Sequence, residues 1–161
     1  MESEFQDLLE ANHRVVAKVC RIYTDKHEDF QDYYQECVVQ LWRSFKSFRG
    51  ASKISTWVYR VCLNVCLTQL RSKKRINITT PEHLPDVKME TDYVLEERME
   101  MLYKAIKLLK ESDRAIILLY LEDKSYKDMA EILGITVTNV GAKVNRVKNQ
   151  LKSIINGRKR Y

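Results

Sequence analysis

The chain has 161 residues, 45% of them hydrophobic, with a net charge of +6 and only four Gly and two Pro. That apolar content excludes a globally disordered chain, and so few turn-formers disfavour a sandwich or barrel, leaving one ordinary or two small helical domains. No run is long and apolar enough to span a bilayer and no basic-then-apolar start resembles a signal peptide, so a cytoplasmic location with no direct membrane insertion is expected.

In chain order, Phe5, Leu8, Leu9, Val15, Val16, Val19 and Tyr23 recur at steps of three and four, which predicts a helix over 3–24. Phe30, Tyr33, Cys37, Val38, Leu41 and Phe45 repeat the pattern until Gly50 and Ser52 break it. Trp57, Val58, Val61, Cys62 and Val65 mark a third helix that runs into Arg71-Ser72-Lys73-Lys74-Arg75, a basic end that suits the helix dipole. Residues 76–92 change character, with a β-branched run, Pro81 and Pro85, and few large apolar side chains, so they read as an extended linker. Leu95, Met99, Leu102, Ile106 and Leu109 restart a helical stripe. Ser112-Asp113 can cap the helix that carries Ile116, Ile117, Leu119 and Tyr120. Ser125, with Asp128 three residues on, can cap a short helix ended by Gly134, and Thr136 can cap a last one carrying Val140, Val144, Val147 and Leu151. The expected fold is all-α, with domains at 1–75 and 93–161.

Charge is unevenly distributed. From Cys37 to Pro81 there is no acidic residue against nine Lys or Arg, and from Ile132 to Tyr161 none against seven. Two separated basic blocks point to two contacts with nucleic acid. In the second block, Ala130 stands where two helices cross and Gly134 where the chain must turn, the form of a helix-turn-helix. Thr136, Thr138, Asn139, Lys143, Arg146 and Lys148 supply hydroxyl, amide and cationic groups able to reach base edges and phosphates in a major groove. The bland alternative is a helical hairpin with a solvated face.

In the first block, cations alternate with aromatics: Phe48, Arg49, Lys53, Trp57, Tyr59, Arg60, Arg71, Lys73 and Lys74 are the candidates there. Rings that stack bases and cations that hold phosphates are what single-stranded DNA requires. Trp57 also falls in an apolar stripe, so Phe48 and Tyr59 are the rings expected to be exposed. Just upstream, Asp32, Gln35 and Glu36 lie three and four apart and form an acidic-amide helix face that invites a basic protein partner. Cys62 and Cys66 lie one turn apart, a conceivable metal pair, but no His or further Cys lies near in sequence to complete a tetrahedral site. All four cysteines are therefore expected to be buried and inert, and no catalytic residue, metal or cofactor is expected.

These blocks resemble a known family. Asp29 to Trp42 is similar to the polymerase-binding helix of extracytoplasmic-function (ECF) sigma factors, with Asp29, Asp32, Gln35, Glu36, Leu41 and Trp42 matching its pattern. Phe48-Arg49-Gly50, then Ser55-Thr56-Trp57-Val58-Tyr59-Arg60 and Asn64, resemble the family's next block. Ser125-Tyr126, Met129-Ala130, Leu133-Gly134-Ile135, Val140 and Arg146 resemble its helix-turn-helix. The chain departs at Tyr33-Tyr34, at Gly141-Ala142 in place of Lys-Ser, and at Asn145. The resemblance implies that Asp32, Gln35 and Glu36 face the clamp helices of RNA polymerase core. It implies that residues 48–64 hold the minus-ten element of promoter DNA, while Arg60, Arg71, Lys73 and Lys74 hold phosphates. It also implies that the last helix reads the minus-thirty-five element, that the linker lies along the RNA path, and that a membrane-linked anti-sigma factor is a partner. A stand-alone helix-turn-helix repressor or activator is the main alternative; it leaves the Asp32–Glu36 face without a task.

Overall fold

A computed structural model describes residues 1–76 and 93–159, and the expected linker falls, apart from Ile76, outside the described residues. Seven helices, and no strand, occur among the described residues: α1 (Glu2–Tyr23), α2 (His27–Phe45), α3 (Ile54–Ile76), α4 (Tyr93–Lys107), α5 (Glu111–Leu121), α6 (Tyr126–Leu133) and α7 (Val137–Lys159). They divide into two compact units, one with α1–α3 and the other with α4–α7.

In the first unit each helix packs against the other two. Helix α1 opens on Glu2 and Glu4 and closes on Arg21, complementing its dipole at both ends. It buries Phe5, Leu8, Val16, Val19, Cys20, Ile22 and Tyr23. The chain then turns extended at Thr24, whose hydroxyl donates to the Cys20 carbonyl at 2.8 Å. Helix α2 buries only Tyr33, Cys37 and Leu41, one residue per turn, so most of its circumference remains outside the core. Helix α3 supplies Trp57, Val58, Tyr59, Cys62, Leu63 and Cys66. All four cysteines are buried, as their apolar positions require. The residues that meet are not the sequence neighbours Cys62 and Cys66: the sulfur of Cys66 meets those of Cys20 and Cys37, brought by two other helices.

In the second unit α7 packs against α4, α5 and α6. Its buried stripe is Val140, Val144, Val147 and Leu151, at steps of four, three and four. Helix α5 packs against α7 and α4, with Ala115 to Leu119 all buried. The expected Ser112-Asp113 cap does not form. Helix α5 starts at Glu111 behind Lys110 without a side-chain cap, because the Asp113 carboxylate is instead turned to Arg146.

Candidate functional site

The exposed face of α2 is built from the residues its narrow core stripe leaves out. Asp32 and Gln35 are exposed and Glu36 is half-buried. Val39 and Trp42 continue the same face at helical steps and are exposed too. The Glu36 carboxylate accepts from Gln40 Nε2 at 3.3 Å, which orients it along the helix. Trp42 remains 42% exposed although its ring meets Phe5 edge to face at 5.0 Å, so it is anchored on one side and open on the other. Asp29 has a different situation. It is ion-paired with Lys73 of α3, whose ammonium also lies 5.4 Å from the Tyr33 ring centre. Two residues expected to serve different partners thus hold each other, in a half-exposed pair of the kind worth about 0–1 kcal/mol and easily exchanged for another contact.

A second surface follows along the α2–α3 loop and α3. Gly50 takes φ +73°, a conformation that costs other residues strain, and so lets the loop turn between Phe48 and Lys53. Arg49, Lys53, Arg60, Asn64 and Arg71 are all exposed, the last three sharing an outer stripe of α3. Phe48 is half-buried and stacks on Trp57 with ring centres 5.0 Å apart. The expectation for Tyr59 is corrected: it is 1% exposed and belongs to the core. Residues 59, 62, 63 and 66 form the inward stripe of α3, which faces both α1 and α2, so the ring cannot stack a base without leaving that core. Trp57 is likewise buried, and Phe48 is the aromatic left at the surface of this loop. The Lys74 side chain lies outside the described residues. An open groove between α2 and α3 is lined by Glu36, Gln40, Ser44, Asn64 and Gln69, and joins the two surfaces.

The third surface is the start of α7. The Ser125 hydroxyl accepts the Asp128 N–H at 3.1 Å, Gly134 closes α6 in the left-handed conformation at φ +69°, and the Thr136 hydroxyl accepts the Asn139 N–H at 3.1 Å. These local bonds fix the turn and the start of α7, as the sequence pattern requires. Val137, Thr138, Asn139, Ala142 and Asn145 are exposed there. The sequence reading named Thr138 and Asn139 but missed Val137, Ala142 and Asn145, although steps of four and three from Thr138 lead to the last two. Lys143 is half-buried. Arg146 donates two bonds to the buried Asp113 carboxylate, at 3.1 and 3.0 Å, a bidentate fork that ties α7 to α5. Lys148 rests 5.6 Å from the Tyr120 ring centre. The two later cations of the predicted set are therefore engaged within the unit.

Comparison with known proteins identifies both units. Residues 8–76 match Sigma-70 region 2, and residues 99–151 match Sigma-70, region 4. The chain is 29% identical to an ECF RNA polymerase sigma-E factor of Haemophilus influenzae, over 94% of this chain and 87% of that one. It is 25% identical to the ECF RNA polymerase sigma factor SigM of Mycobacterium tuberculosis, over 94% of this chain and 76% of the other. Among solved structures, the sigma factor RpoE in complex with the anti-sigma factor NepR from Bartonella quintana aligns with a TM-score of 0.73 at 21% identity, covering 95% of this chain and 97% of that one. CnrH in complex with the cytosolic domain of CnrY aligns with a TM-score of 0.73 at 17% identity, covering 98% and 90%.

Proposed function

The chain belongs to the ECF sigma factors of the sigma-70 family, and we propose that its three surfaces divide that role between core polymerase and the two promoter elements. The Sigma-70 region 2 match sets aside the stand-alone repressor or activator. Region 2 in this reading is the domain 1–75, region 4 the domain 93–161, and 76–92 the linker between them.

The observation that carries the reading is the α2 face. Asp32, Gln35, Glu36, Val39 and Trp42 combine carboxylates, an amide and exposed apolar surface on a chain of net charge +6. Such a face cannot serve DNA, whose phosphates would repel it, but it suits the basic clamp helices of core polymerase. Asp29 joins it when Lys73 turns to a phosphate, which couples core engagement to DNA engagement through one weak ion pair.

The loop at Phe48 to Lys53 and the outer stripe of Arg60, Asn64 and Arg71 then hold the separated non-template strand of the minus-ten element. Base stacking on an aromatic contributes roughly 1–3 kcal/mol, and phosphate contacts add salt-sensitive affinity. The exposed start of α7, with Thr136, Thr138, Asn139 and Lys143, reads the minus-thirty-five duplex, while Arg146 holds that helix in place and Lys148 lies at its edge. Each contact is weak alone. Core polymerase fixes the spacing of the two units and turns the second contact into an intramolecular one, so the free protein binds promoter DNA poorly.

We assign the protein to the cytoplasm, where its polymerase partner is; no helix among the described residues is long and apolar enough to cross a membrane. An anti-sigma factor is a further partner, as in the solved complex of RpoE with NepR that the chain resembles. The test is direct capture of purified core polymerase. The unmodified chain should bind, and Asp32→Ala/Glu36→Ala should lose at least tenfold in affinity with an unchanged helical signal. Equal binding by both would refute the assignment of the α2 face.

A further inference from the structure

The first unit holds a feature that neither polymerase nor DNA binding uses. Cys20 of α1, Cys37 of α2 and Cys66 of α3 are each fully buried, and their sulfurs point at one another. The Sγ–Sγ separations are 3.8 Å for Cys20–Cys37, 4.0 Å for Cys37–Cys66 and 4.0 Å for Cys66–Cys20. The triangle is nearly equilateral. The point equidistant from three corners so spaced lies about 2.3 Å from each, which is the length of a zinc–thiolate bond. Three small side chains serving only as filler would have no reason to converge on one point from three helices.

The ligand set limits the ion. Among the described residues no fourth Cys and no His, Asp or Glu joins the cluster, and Cys37 Sγ lies 3.9 Å from the Cys62 carbonyl oxygen. The cluster is buried, so a fourth ligand cannot come readily from solvent. A hard cation such as Mg²⁺ or Ca²⁺ needs oxygen ligands, and structural zinc needs four donors. What remains is a soft ion satisfied by three sulfurs.

We propose that Cys20, Cys37 and Cys66 form a binding site for a thiophilic ion that takes three thiolate ligands and no other. Binding breaks three S–H bonds and forms three metal–sulfur bonds. Cu(I) releases three protons to solvent, whereas arsenite, As(OH)₃, loses its three hydroxyls as water and leaves a neutral As(SR)₃ centre; neither step changes an oxidation state. The trivalent ion is the better electrostatic match to an apolar core, since the univalent one leaves two uncompensated negative charges there. The ion would fasten all three helices together. Cys37 adjoins Glu36 on the polymerase-facing helix, and Cys66 is two residues from Asn64 on the DNA-facing one, so loading the site reaches both surfaces.

The experiment uses the full chain, reduced and free of oxygen, titrated separately with Cu(I) against a competing chromophoric chelator and with arsenite, followed by X-ray absorption of the loaded protein. The expected result is one ion per chain with three sulfur neighbours at about 2.3 Å in at least one arm. Arsenite alone binding would identify charge neutrality as the selector; Cu(I) binding as well would mean that Lys73, over the Tyr33 ring, or another cation compensates the charge. Cys20→Ala and Cys66→Ala should lose the ion and Cys62→Ala should keep it. Should the core variants fail to fold, the sulfur count of the unmodified protein still decides. Binding by neither ion, fewer than three sulfur neighbours, or loss of binding in folded Cys62→Ala would overturn the proposal.

Discussion

Individual residues here are spent in ways their type alone does not reveal. Asp113 is a buried carboxylate satisfied by the Arg146 fork, with the guanidinium side itself half in water. Replacing it by Asn keeps the shape and removes the charge, and a charge-assisted hydrogen bond contributes about 1.5–3 kcal/mol. Urea unfolding of Asp113→Asn should show the region 4 unit destabilised near the low end of that range, because Arg146 is exposed enough to be rehydrated. Gly141 behaves oppositely. A β-carbon there would meet the Tyr126 ring at 3.5 Å, an ordinary contact, so nothing in the fold requires glycine. Gly141→Ala should stabilise α7 by roughly 0.5–1 kcal/mol, read as a higher unfolding midpoint. The thiols add a pH dependence. Hydrogen bonding to Cys37 and burial push the Cys20 thiol above its ordinary value of 9.0, and hydrogen bonding to Cys20 does the same for Cys66. Above about pH 9 the unfolded chain therefore releases thiol protons that the folded one retains, and stability falls as pH rises. Replacing these cysteines by Ala should flatten that alkaline slope in a denaturation series.

At the scale of helices, much of the fold was legible and the reason is periodicity. The buried stripes of α1, α2 and α7 are the apolar repeats of the sequence, and the capping groups Ser125, Gly134 and Thr136 take the parts their chemistry assigns. What the sequence hid lies between elements. Tyr59 reads as a surface ring beside Arg60, but α3 touches two helices at once and its inward stripe is wide enough to take Tyr59 in. Asp113 reads as a cap because caps are local, whereas its partner Arg146 lies thirty-three positions away. The cysteine triangle was invisible for the same reason: Cys62 and Cys66 are the close pair in sequence, and the cluster instead draws one residue from each helix. Of the candidate site, the α2 face and the start of α7 were correctly read as exposed at Asp32, Gln35, Thr138 and Asn139, because exposure follows from the complement of the core stripe.

In the proposed division of labour, the two small basic units of the molecule do together what neither does alone. In the proposed reading region 2 carries a polymerase face and a DNA face on adjoining helices, with the α2–α3 groove between them, and region 4 a second DNA face on α7. In that reading core polymerase supplies the frame that makes the two DNA contacts simultaneous. Multi-round transcription in vitro tests this most directly, with purified core polymerase, a library of genomic promoter fragments, and either no added protein, the unmodified chain, or Asp32→Ala/Glu36→Ala. Transcripts with defined starts should appear only with the unmodified chain and fall at least tenfold with the double variant. Specific duplex binding by the protein alone, with no core-dependent transcripts, would contradict the account.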